Sequence, residues 1–129
     1  MALIVPNESE VEMLTRMFRA EGSKLKLFSN NVTLSETSTI GSCTECATGG
    51  YAQKSLTTAW TCTTPGGGTS SASFAQQTYT FTSGCTAYGY YVTNSAATIM
   101  LYAETFTDGP YVIPAGGGTI LVTPVFEAI

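Results

Sequence analysis

Hydrophobic and polar positions alternate with a period near two in several short runs of this chain, and one segment shows a helical period instead. Between residues 7 and 22, Val11, Leu14 and Phe18 recur at helical spacing, and Met13 and Met17 widen the stripe. Asn7 with Glu10 three residues on predicts an N-cap with a capping box. Glu8, Glu10 and Glu12 crowd the start and Arg16 and Arg19 the end, as the helix dipole favours, and Gly22 is the expected stop. The pattern therefore predicts one short helix, over residues 8–21, capping one side of the domain.

After Gly22 the period changes to two. Lys24-Leu25-Lys26-Leu27-Phe28 alternates as a half-buried strand should. Asn30-Asn31 marks a turn, and residues 35–50 read as a loop with at most a short extended piece. Further strands are expected at 51–57, 59–63, 74–82, 87–93, 99–106 and 119–126. In the 74–82 strand, Thr78, Thr80 and Thr82 share one face, and Tyr79 and Phe81 share the other. Pro65-Gly66-Gly67-Gly68, Gly84, Asp108-Gly109-Pro110 and Ala115-Gly116-Gly117-Gly118 separate them as turns. Neither glycine triplet is followed by Lys-Ser/Thr or a helical pattern, so neither is a phosphate loop. Pro124 places the last strand at an edge. The expectation is a mainly β fold: an antiparallel β-sandwich or jelly-roll-like domain of about seven or eight strands, with one short N-terminal helix. Residues 1–8 form an N-terminal arm, and residues 9–129 form the single domain.

Charge narrows the range of functions. Of the 129 residues only 11% are charged, against about 25% in an ordinary soluble domain, while 43% are hydrophobic. A neutral surface rich in Thr, Ser and Gly suits packing against partners. Net charge is −4 with five basic residues, which argues against a nucleic-acid partner and against a polybasic membrane-surface segment. Met1 to Pro6 lacks the basic start and long apolar run of a signal peptide, and no apolar stretch reaches the ~20 residues of a membrane helix. Synthesis in a cytoplasm is expected, with thiols as the default state of the cysteines. For the same reason the sequon Asn31-Val32-Thr33 reads as chance.

Little catalytic chemistry is on offer. The chain has no histidine, which removes Ser-His-Asp and Cys-His mechanisms and His-bearing zinc sites. A glycosidase pair would have to come from Glu36, Glu45, Glu104 and Asp108, and Glu104 is the best placed of them, within a strand beside Tyr102 and Phe106. An outward-facing Glu is expected in such a strand in any case. The reading is non-enzymatic, with no catalytic, cofactor or metal residues. Cys43-Thr44-Glu45-Cys46 is a single Cys-x-x-Cys, and Cys62 and Cys85 stand alone. A four-thiolate zinc site normally uses two such knuckles, and a redox motif needs a helix after its first cysteine. Free thiols are the first reading, with late disulfides, metal and redox activity as the alternatives. Trp60 and Tyr111, with the other tyrosines, could stack a sugar, against the plainer reading that most aromatics are core.

Several stretches taken in order resemble a group of small virion proteins of tailed bacteriophages, including cyanophages. They are Met1 to Glu8, Leu25 to Asn31, Gly50 to Lys54, Ala75 to Phe81, Tyr88 to Val92 and Ala103 to Phe106. The similarity spans nearly the whole chain, its motifs are structural, and the Cys-x-x-Cys lies outside it. The resemblance implies a capsid cement (decoration) protein on the outer capsid surface of the virion. Such a protein is expected to be a homotrimer that clamps the major capsid protein and stabilises the assembled head. Leu3, Ile4, Val5 and Pro6 are the expected contact with capsid or neighbour, the alternative being that they add an edge strand to their own sheet. The other function in view is a tail or fibre-associated module that recognises host surface glycan through Trp60 and Tyr111.

Overall fold

The computed structural model describes residues 3–64 and 69–128. The helix α1 spans Asn7–Phe18 and ends three residues earlier than the sequence pattern suggests. Leu14 and Phe18 are its buried residues. Its start corrects the capping assignment. The N-cap is Pro6, in extended conformation, and its carbonyl accepts from the amides of Ser9 and Glu10 at 2.9 and 3.1 Å. Proline has no N–H to lose at a helix start, and its fixed φ suits entry into the first turn. Glu10 does not reach back to close a box. Its carboxylate accepts a 2.7 Å hydrogen bond from the Ser70 hydroxyl and so ties the helix to the β body.

Eleven strands follow among the described residues: β1 Ser23–Phe28, β2 Lys54–Leu56, β3 Thr61–Thr63, β4 Ser70–Ser73, β5 Gln77–Phe81, β6 Cys85–Ala87, β7 Gly89–Asn94, β8 Met100–Thr105, β9 Tyr111–Ile113, β10 Gly118–Val122 and β11 Val125–Ala128. All their pairings are antiparallel. They make a four-stranded sheet in the order β2-β1-β7-β8, a three-stranded sheet β11-β4-β3, and the pairs β10-β5 and β6-β9. The fold is therefore mainly β, with one N-terminal helix and several antiparallel sheets.

Eleven strands replace the expected seven or eight because β4 and β9 lie outside every expected run, and because the chain changes sheets at two of the expected runs. The tyrosine-rich run divides at Tyr88: β6 pairs with β9, and β7 pairs with β1 and β8. The last run divides before Pro124, which cannot donate to a ladder. β10 pairs with β5, and β11 then pairs with β4 as an edge strand. β4 and β5 separate at the same level, where the amide of Phe74 donates to the Pro124 carbonyl at 3.1 Å. Two paired strands thus turn one corner together. The expected 51–57 and 59–63 strands shorten to three residues each. The break at Pro65-Gly66-Gly67-Gly68 lies outside the described residues.

One core joins these small sheets. Leu25 and Leu27 of β1, Ala72 of β4, Tyr79 and Phe81 of β5, Ala87 of β6, Val92 of β7, Ile113 of β9 and Ile120 of β10 pack in a single cluster with Leu14 and Phe18 of α1. Alternation does the sorting. Tyr79 and Phe81 are buried while Thr78 and Thr80 face out, as the pattern predicts. The Tyr79 hydroxyl donates a buried 2.7 Å hydrogen bond to the Leu25 carbonyl and links the β5-β10 pair to the four-stranded sheet. Central β7 is buried on both faces from Gly89 to Thr93. Gly89 must be glycine, because a Cβ there would overlap the Glu104 carbonyl and the Phe28 ring. A second, smaller cluster holds Phe28, Cys43 and Tyr91.

Candidate functional site

The N-terminal arm is the most exposed apolar segment described. Leu3 is 91% exposed, Ile4 80% and Val5 43%. None of them belongs to a strand, so the arm does not add an edge strand to its own sheet in this structure. Pro6 anchors it by capping α1. Three adjacent apolar side chains therefore stand in solvent, next to a fixed point. Val112, Leu121 and Val125 are further exposed apolar residues, on β9, β10 and β11.

The two aromatic candidates have different positions. Trp60 is 2% exposed, stacked on Phe18 with ring centroids 4.4 Å apart and tilted against Phe74 at 5.6 Å. Its face is covered, so it cannot serve as the exposed platform a sugar would need. The sequence around it, short and threonine-rich, carries no sign of this burial, which comes from the helix closing over it. Its indole N–H is buried without a hydrogen-bond partner. Tyr111 is half-buried, packs on Phe106 with centroids 4.7 Å apart, and lines a cleft of about 280 Å³ with Tyr90 and Glu104. Trp60 is not among the residues lining that cleft.

The candidate carboxylates have different surroundings. Glu104 is exposed and accepts a 2.8 Å hydrogen bond from the Tyr90 hydroxyl. Burial, then that bond, pushes the Tyr90 phenol up to about 12. Tyr90 is thus a neutral donor at ordinary pH. Glu36 and Asp108 are exposed. Glu45 has the richest surroundings: it accepts from the Tyr51 hydroxyl at 2.8 Å and lies 3.5 Å from the Lys26 ammonium. The Tyr51 oxygen in turn accepts from the Leu27 amide at 3.2 Å. Burial and the Glu45 hydrogen bond hold the Tyr51 phenol far above its usual range. This network pins the 43–51 loop to β1, helped by the Cys46 amide donating to the Leu27 carbonyl at 2.9 Å. It is structural in geometry. Sequence reasoning named Glu45 only as one of four candidate carboxylates, because its partners Lys26 and Tyr51 lie on other segments that no local pattern joins to it.

The cysteines also sort differently from their spacing. Cys43 belongs to the small cluster with Phe28 and Tyr91. Cys46 belongs to the main core, and its sulfur lies 3.3 Å from that of Cys85, 39 residues on. Cys62 is half-buried on β3. Among the described residues no three Cys, Asp or Glu side chains gather into a set that could hold a metal ion, and no helix is long and apolar enough to cross a membrane. Comparisons of the chain with protein-family models, with curated proteins and with solved structures find no match.

Proposed function

We propose that this chain is a non-enzymatic structural protein of a tailed-bacteriophage virion, a cement protein that binds the assembled head through its N-terminal arm. The observation that carries the reading is the arm itself: Leu3, Ile4 and Val5 in solvent, held at one end by Pro6. Burying a side chain of this kind contributes about 1.5–3 kcal/mol. An arm that docks on a neighbour therefore supplies several kcal/mol per copy, before the cost of ordering it. A protein that binds only the finished shell stabilises that shell by mass action, and trimerisation multiplies weak contacts through effective concentration. No bond is made or broken. The low charge of the chain fits a surface meant to be covered.

The same proposal takes the four small sheets as a sandwich or jelly-roll-like body. Its support is their common core and the corner at Phe74 and Pro124, where paired strands pass together from one sheet to the next.

The test is the number of copies per virion relative to the major capsid protein, by quantitative mass spectrometry. A ratio near one, or a fixed large fraction of it, is expected. A handful of copies would overturn the cement role and favour the tail-associated, glycan-recognising alternative, now resting on Tyr111 without Trp60. The arm is tested by deleting residues 2–5 and keeping Pro6, so that the helix cap survives. Loss of shell binding with unchanged melting is the expected result. Unchanged shell binding would remove the arm from the mechanism.

A further inference from the structure

We infer that Cys46 and Cys85 form a built disulfide site, which closes by exchange with a small-molecule disulfide and staples the 43–51 loop to β6. The pairing rests on geometry. The two sulfurs are 3.3 Å apart, with the Cys85 thiol donating to Cys46. A disulfide needs about 2.05 Å, so closure asks for a movement of little more than about 1 Å. Both residues are fixed by backbone bonds: the Cys46 amide to the Leu27 carbonyl, and Cys85 in register with Ile113 across β6 and β9.

Access is the second observation. Cys46 and Cys85 both line an open cleft of about 450 Å³, walled by Ser29, Thr48, Thr86 and Ile113. That volume admits a tripeptide-sized reagent end. The other two cysteines are excluded by placement. Cys43 packs with Phe28 and Tyr91 in the separate small cluster, and Cys62 sits on β3; neither lines the cleft. The near neighbour in sequence, Cys43, is thus not the partner of Cys46.

The chemistry balances with oxidised glutathione as the oxidant. Cys85, 9% exposed against 3% for Cys46, is the point of entry. It gives its proton to solvent and attacks the glutathione disulfide. A mixed disulfide forms on Cys85, and one glutathione thiolate leaves. Cys46 then loses its proton and attacks the Cys85 sulfur, expelling the second glutathione thiolate. Two protein thiols are oxidised, one disulfide is reduced to two thiols, and the two protons end on the glutathiones. Burial, followed by the contact with Cys85, holds the Cys46 thiol well above its usual range. The second step is accordingly slow near neutrality and faster as pH rises, because the thiolate is the attacking species.

The experiment incubates the folded full chain with oxidised glutathione, quenches with acid, and reads mass and thiol count. The expected product is lighter by two hydrogen atoms and retains two of its four thiols. Trypsin cuts after Lys26 and Lys54 and nowhere beyond, so the link should join peptide 27–54 to peptide 55–129. Glu-C cleavage after Glu45 and chymotryptic cleavage after Phe74 then place it at Cys46 and Cys85. The Cys43→Ser/Cys62→Ser double variant should give the same link, and Cys85→Ser should give none. The wild-type digest decides the matter even where a variant does not fold. The crosslinked chain should melt on the order of 10 °C higher, since closing a 39-residue separation constrains the unfolded chain. Four surviving thiols, arrest at the mixed disulfide, a link to Cys43 or Cys62, or an unchanged melting temperature would each overturn the inference.

Discussion

Replacing Trp60 separates a core residue from a binding platform. The ring is 2% exposed, stacked on Phe18 and flanked by Phe74, so Trp60→Ala empties a site where helix and sheet meet. Truncating a buried aromatic of this size costs about 3–5 kcal/mol. For a chain of 129 residues that lowers the melting midpoint by roughly 10–20 °C. Trp60→Phe is the informative control. It retains an aromatic face toward Phe18 and removes the indole N–H, which is buried with no partner. An orphaned buried donor costs about 1–3 kcal/mol, so its removal offsets part of the lost packing. The net change should be on the order of 1 kcal/mol, small beside the alanine variant. The assay is thermal and urea unfolding followed by far-UV circular dichroism, because the chain has a single tryptophan and the variants lose the fluorescence signal. In the parent, Trp60 emission should resist acrylamide quenching. An alanine variant within about 1 kcal/mol of the parent would refute the packing argument. So would glycan binding by the folded parent that Trp60→Phe abolishes without loss of stability.

Three other outcomes follow from the packing. Gly89→Ala should destabilise by about 3 kcal/mol or more, or block folding, since the new methyl meets the Glu104 backbone and the Phe28 ring within central β7; a variant that melts with the parent would contradict the close strand approach. Tyr79→Phe should cost about 1–2 kcal/mol in urea unfolding, because the Leu25 carbonyl loses a buried 2.7 Å hydrogen bond; no change would show that water replaces the hydroxyl. Stability should hold from neutral pH to about pH 10 and fall steeply above it. Burial raises the Tyr51, Tyr79, Tyr90, Tyr91 and Tyr102 phenols, Tyr90 to about 12, while an unfolded tyrosine titrates near ~10. The unfolded chain therefore releases these protons first, and stability present below pH ~10 is lost as pH climbs through the folded values. A melting temperature unchanged between pH 9 and 12 would contradict that burial.

What could be read from the sequence was local. The spacing of Val11, Leu14 and Phe18 located α1 within a few residues, and the alternation in β1 and β5 identified the buried face correctly. The helix start was misassigned because Asn7 is a good cap by type, whereas Pro6, one residue earlier, offered its carbonyl to two amides. β4 was missed because Ser70-Ser71-Ala72-Ser73 has the composition of a loop; its burial comes from α1 and β11 covering it. Sheet changes are invisible to periodicity, because the period of two continues through Tyr88 while the partner strand changes. The Cys46–Cys85 contact was illegible for a related reason. A Cys-x-x-Cys directs attention to near neighbours, and alternation assigns its two sulfurs to different clusters.

Dividing eleven strands among four sheets has a consequence that bears on assembly. Each sheet has two edges, and every edge strand presents unpaired N–H and C=O groups. β2, β3, β6 and β9 are three residues long, and the longest edge strand, β8, is six. Proteins commonly protect edges with charge, but this chain carries charge on only 11% of its residues. At those four three-residue edges shortness does the work instead: such an edge offers too few hydrogen bonds to hold a stray chain. That device leaves the surface neutral, with Leu121 and Val125 on edge strands β10 and β11 exposed beside unpaired backbone. These two longer edges, of five and four residues, suit a partner that arrives with its own hydrophobic contacts, as a neighbour bearing a Leu3-Ile4-Val5 arm would. On the proposed cement role, selectivity for the assembled shell then follows from requiring the arm and an edge to be engaged at once. A truncated chain lacking residues 2–5 should accordingly lose shell binding altogether, rather than in proportion to the area removed.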